Sequence, residues 1–488
     1  MTTAEPALRL RGKLLWVSIL YFAEGFPLGV FYELFPVYFR QQGVELRQIG
    51  LISLLGLAWT LKFLWAPAID ALRHHRRWMF AVDALMAAVM VLYAMQAELG
   101  PWAWVAIGVF TVLSATNDVA IDGYTIELLE RRELGLANGF RIGFYRVGML
   151  ATGVILIASD WLGWSAAYGL CGLLLVAIGT LCLLAPPEQP RPPRAAGSFG
   201  REVRALVGNP ASMATAVGLL LAVGGLVDTA YRQLLPGLAW VGLAVAALAA
   251  GTLLRRHGGA RWAPPEDSVQ AALLGMLSRP GIWPLLLFVL TFKLGDAAMG
   301  FMVKPFWVDA GFSASEIGLV SVNIGLALTV AGGLAGGWFA DRYGIFRALW
   351  ILGLLQALSN LGYWGAASVL AVPPVDGVIP TDHRLWMYGA SMVESFTAGL
   401  GTGPFLAFLM AIVDRRRSAT EYALLSAAFA LSRSLAGWQS GFGAEAFGYA
   451  DYFLLTFVLA FPAYLLLPWV RRALERADRQ ETEPETTT

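Results

Sequence analysis

Long apolar runs follow one another along almost the whole chain, and each has the length of about 20 residues that crosses a bilayer as a helix. They predict fourteen spans, at approximately 14–39, 48–69, 78–97, 102–128, 136–159, 163–185, 211–228, 234–254, 281–307, 316–340, 347–371, 385–413, 419–446 and 450–470. The 488 residues are 57% apolar and 14% charged, whereas soluble domains are about 45–50% apolar and about 25% charged. The sequence therefore excludes a cytosolic enzyme, a disordered scaffold and a secreted disulfide protein. It predicts an all-α polytopic membrane protein.

The basic residues predict how these spans are oriented. Of the 35 Lys and Arg residues, 25 fall in one alternating set of loops and 4 in the other. Cytoplasmic loops carry the excess of positive charge, so both termini are predicted to be cytoplasmic. We call the two faces the arginine-rich side and the arginine-poor side.

An internal repeat divides the chain. The segment 43–53 aligns with 311–321 through a shared Ile-Gly-Leu, and each follows a long span with a proline near its outer end. Arg146 and Arg433 also stand at equivalent places in the fifth span of each half. Parallel repeats of six helices are an arrangement found in transporters. The predicted parts are an N-terminal half (1–186), a linker with two additional helices (187–280), a C-terminal half (281–473) and a disordered tail (474–488).

The linker starts with a proline-rich basic stretch, 186–194, which cannot continue a helix. Its two apolar runs are even in number, so the C-terminal half keeps the orientation of the first. We expect them to form a peripheral hairpin against a twelve-helix core.

One loop resembles a known family. Gly337, Asp341, Arg342, Gly344 and Arg347 have the spacing of the loop motif of the major facilitator superfamily. The stretches 62–70, 114–122 and 354–364 are similar to a branch of that family, the AmpG-like muropeptide permeases and the related acetyl-CoA transporters. The resemblance spans both halves and implies a major facilitator fold, with two six-helix bundles and two extra helices between them.

The resemblance also implies a function. It indicates a proton-coupled importer of cell-wall turnover products, anhydromuramyl sugars and muropeptides, in the bacterial inner membrane. Three departures leave the cargo open. Asn117 stands where those permeases tend to have Gln, and Asp122-Gly123 is closer to the acetyl-CoA branch. The extra pair of spans also falls between the halves rather than after the core. Acetyl-CoA or a siderophore on the same framework is the alternative.

A membrane-embedded acyl- or glycosyltransferase is a hypothesis from another class. The four histidines lie in loops, which disfavours it, and the repeat suits transport by rocking, which catalysis does not need. No Walker loop is present. We therefore expect no enzyme activity, no cofactor and no metal. The expected partners are a small-molecule cargo, protons and the lipid bilayer, without nucleic acid and with a monomer as the functional unit.

Acidic residues inside the spans are the candidates for proton coupling. Asp118 and Asp122 are four residues apart, on one face of the fourth span and about 6 Å from each other. Repulsion between two such carboxylates favours the binding of a proton by one of them. Glu24 and Glu394 are further candidates, because a charge in the bilayer must be paired or hydrated. A structural bond to a neighbouring helix or to Arg146 is the alternative for the aspartates.

Basic residues inside the spans are the candidates for substrate binding. Lys293 and Asp296 have ion-pair spacing, whereas Lys304 has only Asp309 nearby, towards the arginine-poor side. A cavity lined by the two lysines would attract an anionic cargo, and a static ion pair is the alternative for Lys293. Arg146 and Arg433 would contact cargo or lock the conformation.

Two loop groups are the candidates for a cytoplasmic gate. We expect the carboxylate of each group to pair with the arginines beside it and to hold one state without touching cargo. The groups are Asp70 with Arg76 and Arg77, and Asp341 with Arg342 and Arg347.

Overall fold

The computed structural model is built of helices, and no strand occurs among the residues it describes. These residues are 10–62, 65, 69, 74–95, 100–129, 133–188, 237–258, 275, 276, 279–374, 377–413 and 418–482, with scattered residues between 209 and 225.

The helices are numbered in chain order. They are α1 Leu10–Gln41, α2 Leu46–Leu61, α3 His75–Met95, α4 Pro101–Leu128, α5 Leu134–Leu183, α6 Gly237–Gly258, α7 Ile282–Asp309, α8 Ala314–Tyr343, α9 Ile345–Val369, α10 Thr381–Ala411, α11 Ser418–Leu459 and α12 Leu467–Thr482. Two include π-helical segments, Val30–Leu34 in α1 and Ile317–Ile324 in α8. A turn at Phe292 and Lys293 interrupts α7.

The membrane-spanning character is confirmed. Within the described ranges, 8 helical segments are long and apolar enough to cross a membrane. Two of these, Gly139–Leu183 with 45 residues and Leu424–Ala477 with 54 residues, exceed the length of one crossing. The predicted count of fourteen spans is not confirmed, because much of 187–280 lies outside the described residues.

Glycines with positive φ mark the repeat in three dimensions. Gly163 (φ 80°, ψ 164°) breaks α5, and Gly448 (φ 75°, ψ 164°) breaks α11 in the same conformation. Gly43 (φ 78°) and Gly311 (φ 84°) turn the chain after the first span of each half. Glycine adopts this backbone region without the steric cost that a Cβ brings. The same turn chemistry therefore recurs at matching points of the two halves.

The chain forms two compact units. The larger comprises Met1–Pro190, Leu287–Ala411 and Phe429–Thr488, and the smaller comprises Arg191–Leu286 and Ile412–Ala428. Inside the smaller unit, Arg279 donates a hydrogen bond to Glu421. All of the site contacts described below lie within the larger unit.

Close helix packing positions the acidic site. A Cβ atom at Gly25 of α1 would collide with the backbone of Tyr145 on α5. A Cβ at Gly148 would in turn meet the backbone nitrogen of Phe26 at 2.8 Å. Small residues at such crossings let two backbones approach. This crossing brings the polar face of α1 against α5.

The predicted disorder of the tail is wrong for its first part, since α12 continues to Thr482. Arg471 donates to Glu475 one turn away at 2.9 Å, and Val470 and Leu474 bury the apolar side of the helix. Such i,i+4 pairs and an amphipathic pattern stabilise a helix. Residues 483–488 lie outside the described part.

Candidate functional site

Asp118 and Asp122 lie one turn apart on α4, and each contacts a cation. Lys62 Nζ donates to Asp118 Oδ2 at 3.3 Å and lies 3.9 Å from Asp122 Oδ2. Arg141 Nη2 donates to Asp122 Oδ1 at 2.8 Å, and the Tyr21 hydroxyl donates to the same oxygen at 2.7 Å. Lys62 therefore bridges the two carboxylates that the spacing predicted on one face.

Glu24 brings a third carboxylate to this group. It lies on α1 near enough to interact electrostatically with Asp118 and Asp122. Its Oε2 atom is buried and has no hydrogen-bond partner among the described residues. We call Glu24, Lys62, Asp118, Asp122 and Arg141 the acidic cluster.

Arg146 and Arg433 occupy equivalent places without a carboxylate partner among the described residues. The Arg146 guanidinium lies 4.0 Å from the sulfur of Met149. The Arg433 guanidinium lies 5.6 Å above the ring centre of Tyr32, which belongs to the other half. The cations beside Asp122 are Arg141 and Lys62, and Arg146 forms no bond to either aspartate in this structure.

Lys293 lies at the break in α7, with only 4% of its surface exposed. Its Nζ donates to Gln356 Oε1 at 2.6 Å, Thr402 Oγ1 at 3.1 Å and the Ala398 carbonyl at 3.3 Å. The Asp296 Oδ2 atom is 3.8 Å away. An ammonium has three donors, and these partners on α9 and α10 use all of them.

Lys304 has a local acid, so the expectation that only Asp309 lies near it is wrong. Its Nζ lies 2.8 Å from Glu33 Oε2 and donates to Ser321 Oγ at 2.6 Å. Glu33 belongs to α1, and only the tertiary structure brings it to α7. Asp309 instead accepts from Arg40 Nε at 2.5 Å and from the Tyr449 hydroxyl at 2.6 Å.

Glu394 lies on α10 beside the lysines of α7. Ser395 Oγ donates to its Oε2 at 3.4 Å, and it interacts electrostatically with Asp296, Lys293 and Lys304. The structure thus brings Glu394 together with Lys293, Asp296 and Lys304.

The predicted gate residues form no carboxylate–arginine latch among the described residues. Asp341, Arg342 and Arg347 are exposed and have no ion pair in this part of the chain. Arg76 Nη1 donates to the carbonyl of Ala185, and Arg77 is exposed. Asp70 lies outside the described residues. The gating role of these groups stays a prediction.

The two halves contact each other near the arginine-poor side. Besides the Arg40–Asp309 and Glu33–Lys304 pairs, Asp160 accepts from the backbone nitrogen of Ser315 at 2.6 Å. The repeat-related glycines also lie at crossings between the halves: a Cβ at Gly50 would be 2.9 Å from the Trp438 carbonyl oxygen, and one at Gly318 would be 2.5 Å from that of Gly153.

Several site residues were missed by sequence reasoning. Lys62 and Arg141 are basic residues within the predicted spans, but nothing in the sequence assigns them to Asp118 and Asp122. Glu33 is an acidic residue within the first predicted span, and nothing in the sequence assigns it to Lys304. Gln356 carries a sequence signal of its own, because it is a polar residue inside an apolar run. The structure places it beside Lys293, with only 4% of its surface exposed.

Comparison with known proteins gives one family. The family model of the Major Facilitator Superfamily matches residues 17–436. The anhydromuropeptide permease of Escherichia coli (strain K12) is 29% identical over 471 residues, which are 94% of this chain and 79% of that protein. An uncharacterized protein of Haemophilus influenzae is 28% identical over 469 residues, which are 94% of each chain.

Solved structures are similar in fold. A bacterial homolog to the human lysosomal transporter Spinster, inward-facing and unoccupied, aligns with a TM-score of 0.63 at 13% identity, over 97% of this chain and 99% of that one. A peptide transporter of the POT family in complex with sulfate aligns with a TM-score of 0.63 at 13% identity, over 94% of this chain and 95% of that one. These likenesses confirm the predicted major facilitator fold, and the two extra helices between the bundles stay a prediction.

Proposed function

Because the chain belongs to the major facilitator superfamily, we propose that it is a secondary active transporter importing anhydromuramyl sugars and muropeptides by proton symport and alternating access. Its similarity to an anhydromuropeptide permease over 94% of the chain supports the cargo class. The apolar helices and these relatives make it a multi-pass protein of the inner membrane.

The acidic cluster is the observation that carries proton coupling. Two of its carboxylates, Asp118 and Asp122, lie at hydrogen-bond or ion-pair distance from its two cations. The third, Glu24, interacts with them electrostatically. With every group ionised the cluster has one excess negative charge, which is costly inside a membrane. One bound proton removes that excess. Protonation of Asp122 would also weaken its hold on Arg141 and Lys62, so proton binding can alter contacts among α2, α4 and α5.

Arg146 and Arg433 are the strongest candidates for cargo contacts. Neither guanidinium has an acid partner among the described residues, and a guanidinium binds a carboxylate through two parallel hydrogen bonds. Tyr32 stacks against Trp59 beside Arg433, with ring centres 6.2 Å apart. Aromatic faces of this kind can pack on a sugar ring. Lys293, Asp296 and Lys304 remain candidates, although protein groups occupy both lysines in this state.

The contacts between the halves support alternating access. Ion pairs and glycine crossings join them near the arginine-poor side, while Asp341, Arg342 and Arg347 on the arginine-rich side are exposed. A carrier must break one such set of contacts and form another as it exposes its cargo to opposite sides. We assign this structure to the state closed on the arginine-poor side.

Uptake by reconstituted protein tests the proposal. Purified protein in liposomes is supplied with radiolabelled N-acetylglucosaminyl-anhydromuramic acid under an inwardly directed proton gradient. We expect the disaccharide to accumulate chemically unchanged above its external concentration, and a protonophore to abolish the accumulation. Empty liposomes are the control.

Other outcomes separate the alternatives. Accumulation that survives the protonophore would contradict proton symport. Uptake of acetyl-CoA or a ferric siderophore, with none of the disaccharide, would replace the cargo and keep the fold. Conversion of the disaccharide into another compound would favour a transferase.

A further inference from the structure

A long apolar groove runs along α1 and the two arms of α5 that meet at Gly163. It encloses about 580 Å³, which lies in the range of about 300–1,000 Å³ typical of small-molecule sites. Leu15, Ile19 and Phe22 form its α1 wall, and Phe140, Phe144 and Leu181 face them. The acidic cluster contributes none of the residues that line it.

The groove has the depth of one leaflet. Its α1 residues extend from Arg11 to Phe22, and eleven steps of 1.5 Å along a helix measure about 16 Å. The hydrocarbon core of a bilayer is about 30 Å thick. Arg11 stands at the start of α1, on the arginine-rich side, so the groove reaches from that membrane surface to about the midplane.

Among the lining residues, Arg11, at the membrane-surface end, is the one polar side chain without a partner among the described residues. Ser18 also lines the groove, but its hydroxyl donates to the Leu14 carbonyl at 2.8 Å and needs no ligand. Arg11 is exposed and has no hydrogen bond or ion pair with any described residue. Its neighbour Lys13 differs, since it pairs with Glu133 at 2.9 Å. The groove therefore offers a guanidinium above an apolar channel.

We propose that this groove binds an anionic glycerophospholipid of the leaflet on the arginine-rich side. The acyl chain lies along α1 between Leu15 and Phe22, and the phosphate accepts hydrogen bonds from Arg11. A planar guanidinium matches two phosphate oxygens, and basic pockets between membrane helices on the cytoplasmic side bind anionic headgroups. A zwitterionic lipid would fill the same channel with less electrostatic attraction, because the positive charge of its headgroup repels the Arg11 guanidinium.

Native mass spectrometry of the purified full chain tests the site. The protein is titrated with phosphatidylglycerol and, separately, with phosphatidylcholine of the same acyl chains, and the dissociation constant of the first bound lipid is measured. Arg11→Gln removes the charge, and Arg472→Gln removes an exposed arginine elsewhere as the matched control. Ala177→Phe fills the groove, and Val176→Phe places the same ring on the neighbouring face of the helix, outside the groove.

We expect wild type to prefer phosphatidylglycerol. Arg11→Gln should weaken its binding about fivefold, the equivalent of one basic residue near a membrane surface, and leave phosphatidylcholine unchanged. Ala177→Phe should weaken both lipids, and both control variants should match wild type. The proposal would be overturned if Arg11→Gln and Arg472→Gln lost equal affinity for phosphatidylglycerol. It would also be overturned if wild type bound phosphatidylglycerol no more tightly than phosphatidylcholine. If Ala177→Phe does not fold, the comparison of Arg11→Gln with Arg472→Gln still tests the proposal.

Discussion

At the scale of single residues, Asp122 is the more exposed of the two aspartates of α4, and we propose it for proton coupling. Its side chain is 36% exposed against 9% for Asp118, and both Arg141 and Lys62 reach it. We expect Asp122→Asn to abolish accumulation driven by a pH gradient, and Asp118→Asn to reduce it less. Uptake into liposomes at several external pH values measures this. A mutant Asp122→Asn whose uptake still rises at acid external pH would show that Asp122 only bonds its neighbours.

Asn117 is a residue whose role is structural. Its Nδ2 donates to Asp83 Oδ1 at 2.9 Å, and both side chains are buried, at 1% and 0% exposed. Asn117→Leu leaves Asp83 unpaired, so we expect a loss of about 1–3 kcal/mol in the free energy of unfolding. Thermal denaturation in detergent measures it. The double variant Asp83→Leu, Asn117→Leu removes both polar groups and should recover part of the loss. A double variant that is less stable than Asn117→Leu alone would contradict this interpretation.

At the scale of helices, the Glu33–Lys304 pair connects α1 to α7. Lys304→Met leaves Glu33 as an unpaired charge in the membrane, which is costly. We expect this variant to melt at a lower temperature than wild type, and the addition of Glu33→Gln to restore part of the stability. Calorimetry with cargo adds a second readout. Cargo affinity that stays low in the stable double variant would show that Lys304 also contacts the cargo.

The glycine crossings belong to the same scale. A methyl group at Gly318 would lie 2.5 Å from the Gly153 carbonyl oxygen, whereas one at Gly333 on the same helix would meet only the Gly399 carbonyl oxygen, at 3.9 Å. We expect Gly318→Ala to separate α8 from α5, and Gly333→Ala to have no such effect. Cysteines placed at Asp160 and Ser315 report this contact through the yield of cross-linking. Equal yields in the two alanine variants would refute a closing role for Gly318.

At the scale of the whole molecule, transport by rocking requires the halves to separate on the arginine-poor side. Arg40 and Asp309 are in contact there, with Nε and Oδ1 2.5 Å apart. We expect cysteines at these two positions, joined by a reducible thiol cross-linker, to stop uptake, and a reductant to restore it. Each single cysteine variant is the control, and Cys171 and Cys182 are buried. Undiminished uptake with the cross-link complete would exclude alternating access through this contact.

The sequence by itself determined the class of the protein, its membrane setting and the repeat. These properties depend on local and periodic quantities: apolar runs of bilayer length, the one-sided placement of arginines, and glycines such as Gly43 and Gly311 at matching turns. The pairing of Asp118 with Asp122 was also predictable, because four residues along one helix fix their separation.

Only the tertiary structure decided which charges meet. Glu33 and Lys304 are 271 positions apart along the chain, and no spacing rule relates residues on different helices. Lys62 and Arg141 reach the aspartates for the same reason, through the packing of α1, α2, α4 and α5. A charge buried in a membrane must find a partner, so the sequence shows that such residues need one. Helix packing alone determines its identity.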